Sequence, residues 1–228
     1  MTVPQPPADP NDVTRYTVWA VFARTGEAPG ADAASGLEAW AASLAADDVV
    51  LRGWYDVSGL RADADLMVWL HGPSAESIQA ALRAFRRTAA GATTRLAWSA
   101  MGTHRAAEFT PDHIPSFMRD TQPKAWLCVY PFVRSHEWYL LPEDDRREML
   151  REHGMAGREF RGVQPNTVAA FALNDWEWIL ALESDDLLEL VDLMRGLRAT
   201  QARRHVREET PFHTGRRVDA AGAVEVLA

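Results

Sequence analysis

The chain has 228 residues and a net charge of −8 at pH 7. That charge argues against a general affinity for nucleic acid or anionic membranes, which bind cationic surfaces. The single cysteine, Cys128, excludes an internal disulfide and any multi-thiolate metal site. No apolar run approaches the roughly 20 residues that span a bilayer, and the first residues lack the features of a secretory signal. We therefore expect a cytoplasmic protein with no nucleic-acid or membrane partner.

The chain begins with a proline-rich, polar segment, residues 1–13, which we predict to be disordered. Beyond it, alternating apolar residues predict strands, and apolar residues three or four apart predict helices. The first half is predicted to run strand, helix, strand, strand, helix, strand, at 16–23, 35–46, 49–57, 64–71, 74–88 and 94–103. The second half repeats this order at 124–134, 142–153, 166–173, 176–183 and 185–200, with a looser segment near 206–214.

An internal repeat supports this division into halves. Residues 64–88 match residues 177–200 at a constant offset of 112. The element order in each half is that of the ferredoxin-like unit, and two tandem copies can join their sheets and hide the edges that each exposes alone. We therefore predict an α+β fold in which residues 14–103 and 124–228 form a dimeric α+β barrel within one chain.

The two halves are joined by residues 104–123, a linker that is long for a compact domain. Loops of this length are often functional. His113 lies in this linker between two prolines, in the segment "PDHIP". Loop histidines are commonly solvated polar residues, so its position alone assigns His113 no role.

One predicted strand of the second half carries an unusual set of side chains. Period-two alternation places on one face the residues Trp126, Cys128, Tyr130, Phe132 and Arg134. Inside a barrel mouth these side chains would form an apolar pocket with one cation and one phenol, suited to a flat acidic ligand. The alternative is that Tyr130 is an ordinary strand aromatic and that Arg134 reaches solvent at the strand end.

The segment "LREHGMAGREF" places His153 at the predicted end of helix 142–153, where Gly154 can supply a left-handed stop. Met149 lies four residues earlier on the same apolar face. His153 is then either a last-turn residue stabilised by the helix dipole or a ligand to a metal or haem iron, with Met149 beside the bound group. The sequence contains no zinc-binding His-x-x-x-His spacing, Walker loop, dinucleotide glycine fingerprint or Gly-x-Ser-x-Gly elbow.

Three blocks, "VYPFVRSHEWYLLP", "REMLREHGMAGR" and "NDWEWILALE", resemble the chlorite dismutase superfamily. More narrowly, they resemble its actinobacterial coproheme decarboxylases, and the likeness extends from about Tyr16 to Gly215. The resemblance implies a doubled ferredoxin-like fold, a ring of five subunits and peroxide-dependent chemistry. It also implies that iron coproporphyrin III (coproheme) is both substrate and redox cofactor, that haem b is the product, and that contact with the pathway's ferrochelatase is transient.

The resemblance also implies roles for individual residues. His153 matches the iron ligand, and Tyr130 matches the tyrosine whose radical removes hydrogen from a propionate. Arg134 matches the cation beside the reactive propionate, and Trp138 matches the tryptophan of the family's "EWY" block in the substrate pocket. His113 matches the distal histidine of the actinobacterial branch, which would take a proton from peroxide and return it to the leaving oxygen.

The chain departs from chlorite dismutases in one respect. Those enzymes carry a distal arginine about a dozen residues beyond the iron ligand, whereas residues 163–171 contain no arginine. Chlorite breakdown is therefore disfavoured. Other possibilities are a haem carrier without turnover, a haem peroxidase, and a barrel whose pocket binds a ligand other than haem.

Overall fold

The structure, a computed structural model, describes residues 13–104, 114–119 and 121–228. These ranges contain nine strands and five α-helices. In chain order they are β1 (Arg15–Arg24), α1 (Ala33–Ser43), β2 (Val50–Asp56), β3 (Leu66–Gly72), α2 (Ala75–Phe85), β4 (Thr94–His104), β5 (Trp126–Arg134), α3 (Glu143–Gly157), β6 (Gln164–Ala169), β7 (Trp178–Ser184), α4 (Leu187–Leu197), β8 (Val206–Glu208), β9 (His213–Val218) and α5 (Ala220–Leu227). None of these helices is long and apolar enough to cross a membrane.

The strands form a closed barrel. Their order is β4-β1-β3-β2 in the first half and β9-β5-β7-β6 in the second, which is the ferredoxin-like order in both. Pairing of β2 with β9 and of β4 with β6 joins the two sheets. The short strand β8 pairs with the end of β5. The predicted dimeric α+β barrel is confirmed.

Pleating of the strands divides the apolar residues between the barrel interior and its outer faces. Apolar side chains from β1 to β7 fill the interior, among them Trp19, Trp69 and Leu127, which are fully buried. On the outer face of the first half, α1, α2 and α5 cover β1 and β3. On the outer face of the second half, α4 packs against β5 and β7 around Tyr130 and Leu190.

The internal repeat is confirmed, and one difference between its copies creates space in the second half. Helices α2 and α4 begin and end 112 residues apart. The aromatic Phe85 at the end of α2 packs at 4.8 Å on Phe22 and at 5.3 Å on Trp40, which fills the first outer face. Leu197 is the smaller equivalent of Phe85 in α4, and it lines a cleft instead of closing it.

Helix α3 continues beyond its predicted end. It reaches Gly157 instead of stopping at His153, and Gly154 is not among the residues with positive φ. An added Cβ on Gly154 would meet nothing within 4 Å, so this glycine lies on an open helix surface, where it costs about 1 kcal/mol relative to alanine without ending the helix. His153 therefore lies one turn before the helix end.

Two further predictions were wrong near the C-terminus. Strand β6 ends at Ala169, four residues early, because the chain turns at Ala172, whose φ is +63°. The looser segment near 206–214 is two short strands, and helix α5 was not predicted. That helix buries Ala220, Ala223 and Leu227 in the core of the first half.

A buried polar network holds the end of the linker against the barrel. Arg52 of β2 and Glu183 of β7 form an ion pair at 3.0 Å, with side chains only 6% and 0% exposed. Asn166 donates to Glu183 at 3.1 Å and accepts the Phe117 backbone N–H at 2.8 Å. The Arg52 guanidinium also donates to the carbonyl of Thr121. The network therefore connects both halves of the barrel with the linker.

Candidate active site

A cleft that contains three of the predicted site residues lies on the outer face of the second half, between β5 and the helices α3 and α4. It encloses about 450 Å³, part of it open to solvent. Its lining residues are Tyr130, Phe132, Arg134, His153, Leu180, Met194, Leu197, Arg198, Ala202, Arg203, Val206 and Glu209. The structure thus brings together Tyr130, Arg134 and His153. The predicted location inside a barrel mouth was wrong, because this face of β5 points away from the interior.

A neighbouring cleft continues the first along α4. It encloses about 730 Å³, part of it also open to solvent. The two share Met194 and Arg198, and the second adds the apolar residues Cys128, Leu187, Leu190, Val191 and Phe212. The combined groove is mostly apolar with cations at its rim, an arrangement that suits a flat ligand with acidic substituents.

Arg134 contributes a positive charge to the cleft. Its guanidinium lies 4.1 Å from the ring of Trp138 and 4.9 Å from that of Phe132, and such contacts stabilise a cation without neutralising it. Burial lowers the pKa of Arg134 to about 10, against smaller opposing effects of Tyr139 and Glu177, so the group is charged at neutral pH. Among the described residues, no carboxylate pairs with the guanidinium. It is therefore available to an anionic group of a ligand.

Tyr130 presents a buried phenol to the cleft. Its side chain is 3% exposed and stacks on Phe212 with ring centroids 4.5 Å apart. Burial, with further contributions from Cys128 and Glu209, raises the pKa of Tyr130, against opposing effects of Arg198 and Arg203. The phenol therefore keeps its hydrogen at neutral pH. No hydrogen bond joins its hydroxyl to another residue in the part of the chain that the structure describes.

His153 is held by a neighbouring hydroxyl. Its Nδ1 lies 3.1 Å from Thr200 Oγ1, just after α4. Burial, followed by the charge of Arg134, lowers the pKa of His153, against smaller effects of Glu152 and Glu209. The ring is therefore neutral at pH 7, and a neutral imidazole is the form that binds metals. Its Nε2 makes no hydrogen bond to any residue within the described ranges.

The rim near α4 carries a compact charged cluster. Arg198 and Arg203 both pair with Glu209. One carboxylate thus faces two guanidinium groups, and the cluster keeps a net positive charge. Such a rim attracts a ligand with several carboxylates.

The remaining predicted site residues are less central. Trp138 is 5% exposed and stacks beneath Arg134, so it supports the cleft wall without lining it. Met149 lies on α3 one turn before His153 and lines neither cleft. His113 falls outside the described residues.

Sequence reasoning missed several residues of the site, among them Thr200, Phe212 and Glu209. Thr200 had a signal, because the repeat aligns it with Thr88 in the matching triplets "RAT" and "RRT". Phe212 and Glu209 lie in the irregular segment after α4, where periodicity gives no signal. Their contacts with Tyr130 and the two arginines depend on how this segment folds back over β5.

The residues of the groove fit an iron porphyrin. His153 offers a neutral imidazole nitrogen for iron, which is a common metal ligand. Apolar walls match the macrocycle, and the unpaired Arg134 guanidinium matches a carboxylate substituent. The observation that carries this fit is the half-buried guanidinium of Arg134, which pairs with no carboxylate of the described residues and lies in the same cleft as the histidine.

Comparison with known proteins defines the family. A family model described as "Chlorite dismutase" matches residues 30–218, and the chain belongs to that family. It is 50% identical over 221 residues to the coproheme decarboxylase of Mycolicibacterium smegmatis (strain ATCC 700084 / mc(2)155), covering 95% of this chain and 96% of that protein. The fold is similar to the solved chlorite dismutase of Candidatus Nitrospira defluvii in complex with imidazole, with a TM-score of 0.81 at 20% identity over 93% of this chain and 94% of that chain.

Proposed function

We propose that the protein is a coproheme decarboxylase, which uses hydrogen peroxide to convert two propionates of coproheme to vinyl groups and so forms haem b. The observation that carries the proposal is the cleft that combines His153, Tyr130 and the unpaired Arg134. The relative at 50% identity supports it. For each propionate, one peroxide accepts two electrons and two protons, one carbon dioxide leaves, and two waters form.

In this proposal His153 holds the substrate through iron. The bound iron porphyrin supplies the redox chemistry with peroxide and the propionates that react. The neutral ring of His153 is suited to ligation because the lowered pKa keeps a lone pair available at neutral pH. The apolar groove along α4 excludes water from the macrocycle and strengthens charge interactions inside the cleft.

Arg134 and Tyr130 act on the propionate. Arg134 binds the carboxylate by charge-assisted hydrogen bonds, and its fixed position over Trp138 holds that carboxylate beside β5. Tyr130 lies on the same strand face four residues away. After losing its hydrogen as a proton and an electron, it takes a hydrogen atom from the propionate β-carbon. The substrate then gives up a second electron toward the reduction of peroxide, the carboxyl proton is released, and carbon dioxide leaves as the vinyl group forms.

Three further roles complete the proposal. His113 serves as the distal base that moves a proton between the two peroxide oxygens. Trp138 and Met149 support the substrate pocket.

The enzyme acts in the cytoplasm as a homo-oligomer, most simply a pentamer, and exchanges substrate through transient contact with a ferrochelatase.

The test is a titration with ferric coproheme, followed by peroxide and chromatography of the porphyrins. The expected result is a Soret band at stoichiometric binding and conversion to haem b through a one-vinyl intermediate. Binding without conversion would indicate a haem carrier. Peroxide consumption without any new porphyrin would indicate a peroxidase, and an absent Soret band would indicate a barrel for another ligand. Each of these three outcomes would contradict the proposal.

A further inference from the structure

The neighbours of Thr200 indicate the direction of its hydrogen bond with His153. Thr200 Oγ1 lies 3.0 Å from the carbonyl oxygen of Leu197, to which only a hydroxyl hydrogen can be donated. A hydroxyl carries one hydrogen and can also accept. At the 3.1 Å contact with His153 Nδ1, Thr200 is therefore the acceptor, and the imidazole carries its hydrogen on Nδ1. The lone pair of the neutral ring is then on Nε2.

The first half of the barrel contains the same arrangement with an unambiguous donor. Thr88 aligns with Thr200, and its hydroxyl donates to the carbonyl of Phe85 at 2.7 Å. The backbone N–H of Gly91 donates to that hydroxyl at 3.0 Å. A backbone N–H can only donate, so Thr88 donates to its own helix and accepts from outside. In the second half, His153 takes the place of the Gly91 N–H.

The nearby carboxylates do not compete for His153. Glu209 is engaged by Arg198 and Arg203. Glu152 accepts the backbone N–H of Gln201 at 2.8 Å. Two adjacent residues of α3 are thus tied to two adjacent residues of the turn after α4, which restricts rotation of the helix and of the imidazole ring.

We propose that Thr200 is a positioning residue, whose hydroxyl accepts the Nδ1–H of His153 and thereby fixes the tautomer that presents Nε2 to the cleft. Histidine ligands usually donate their other N–H to a carboxylate, a carbonyl or water. Here the acceptor is a hydroxyl that is itself anchored to a helix carbonyl, so its lone pair is directed at the Nδ1–H. The tautomer belongs to the ligand-free protein, whereas its use for iron rests on the proposed function.

The first experiment uses ligand-free protein and nitrogen-15 NMR of the histidine rings, with the His153 signals identified from a His153→Gln variant. The wild type is expected to show His153 protonated on Nδ1. Thr200→Val should reduce this tautomer, and Thr200→Ser should restore it. Thr88→Val is the matched control, because it removes the equivalent helix cap without touching His153, and it should leave the tautomer unchanged.

The second experiment measures binding of ferric coproheme to the same variants. Thr200→Val should weaken binding by roughly 10–100-fold, as is typical when the outer partner of a histidine ligand is lost, while Thr200→Ser and Thr88→Val should bind like the wild type. An Nε2–H tautomer of His153 in the wild type would overturn the proposal without any variant. So would an unchanged tautomer or unchanged affinity in Thr200→Val. If the wild type binds no coproheme, the proposed function fails, but the assignment of the tautomer stands on the NMR result.

Discussion

At the scale of single residues, the cleft combines three side chains whose individual environments suit different tasks. Burial keeps the phenol of Tyr130 protonated, the ring of His153 neutral and the guanidinium of Arg134 desolvated yet charged. None of these states is unusual alone. Together in one cleft they provide a hydrogen donor, a metal ligand and an anion site. Substitution of His153 and of Tyr130 tests the second and the first of these roles independently.

The variant His153→Ala should lose high-affinity binding of ferric coproheme. The affinity should fall by more than the roughly 10–100-fold that loss of an outer partner costs, because the iron ligand itself is removed. Weak association through the apolar groove should remain. Absorption titration measures both, with His136→Ala as a control on an exposed histidine of the same half. An unchanged ferric spectrum and affinity would show that iron binds elsewhere.

The variant Tyr130→Phe should separate packing from chemistry. Phenylalanine keeps the stacking on Phe212, and the hydroxyl has no hydrogen-bond partner among the described residues, so the change in unfolding free energy should stay below about 1 kcal/mol. Coproheme binding should survive, but neither the one-vinyl intermediate nor haem b should form with peroxide. Chromatography of the porphyrins is the measurement, and Tyr16→Phe in the other half is the control. Substantial haem b from Tyr130→Phe would refute the radical role.

At the scale of elements, the buried ion pair between β2 and β7 joins three parts of the chain. Arg52 and Glu183 come from different halves, and through Thr121 and Asn166 they also hold the linker. Buried pairs of this kind add little net stability when compared with apolar residues, but removal of one partner leaves a buried charge. The network therefore makes the positions of Phe117 and Thr121 depend on correct closure of the barrel.

The variant Glu183→Gln should lower the free energy of unfolding by about 3–5 kcal/mol, because Arg52 then lies buried without a carboxylate. The double variant Arg52→Met/Glu183→Leu should recover a large part of the loss. Urea unfolding measures both. Breaking the exposed pair of Arg147 and Glu143, which are 66% and 68% exposed, should cost at most about 1 kcal/mol. A similarly small loss in Glu183→Gln would mean that other polar groups around Arg52 stabilise its charge without the carboxylate.

At the scale of the whole molecule, two buried histidines make folding sensitive to acid. His71 is 7% exposed and His213 is 2% exposed. Burial, followed by nearby arginines, lowers the pKa of His71 to about 3 and that of His213 to about 4. Both lie below the unfolded value of about 6.5. Below pH 6.5 the unfolded chain therefore binds more protons than the folded one, and the free energy of unfolding decreases as the pH is lowered.

The free energy of unfolding should decrease by about 1 kcal/mol per histidine for each pH unit between pH 6.5 and 5. Chemical denaturation at several pH values gives the slope directly. His213→Gln should reduce the slope by about one proton, because it removes one of the two histidines whose pKa is lowered by burial. A flat profile in the wild type over this range would show that the two histidines are protonated in the folded protein.

Local pattern was sufficient for most of the secondary structure. Alternation located β1 to β5 and β7, and the repeat at an offset of 112 located α2 and α4, because these elements bury one regular face along their whole length. The end of α3 was predicted wrongly, since a glycine permits a left-handed turn without requiring one. Helix α5 was missed because its stability comes from docking on the first half and not from its own sequence.

The sequence by itself determined that the chain is two ferredoxin-like units and that one face of β5 carries a tyrosine and an arginine. Only the tertiary structure decided which side of the barrel that face would be on and what would meet it there. The face points outward, and α4 presents Leu197 where α2 presents Phe85, so a cleft remains beside α4. The acceptor for His153 was likewise beyond sequence, because Thr200 is 47 residues away along the chain and reaches the imidazole only when α3 and α4 pack side by side. Periodicity records which residues share a face, whereas a contact between elements depends on the packing of the whole barrel.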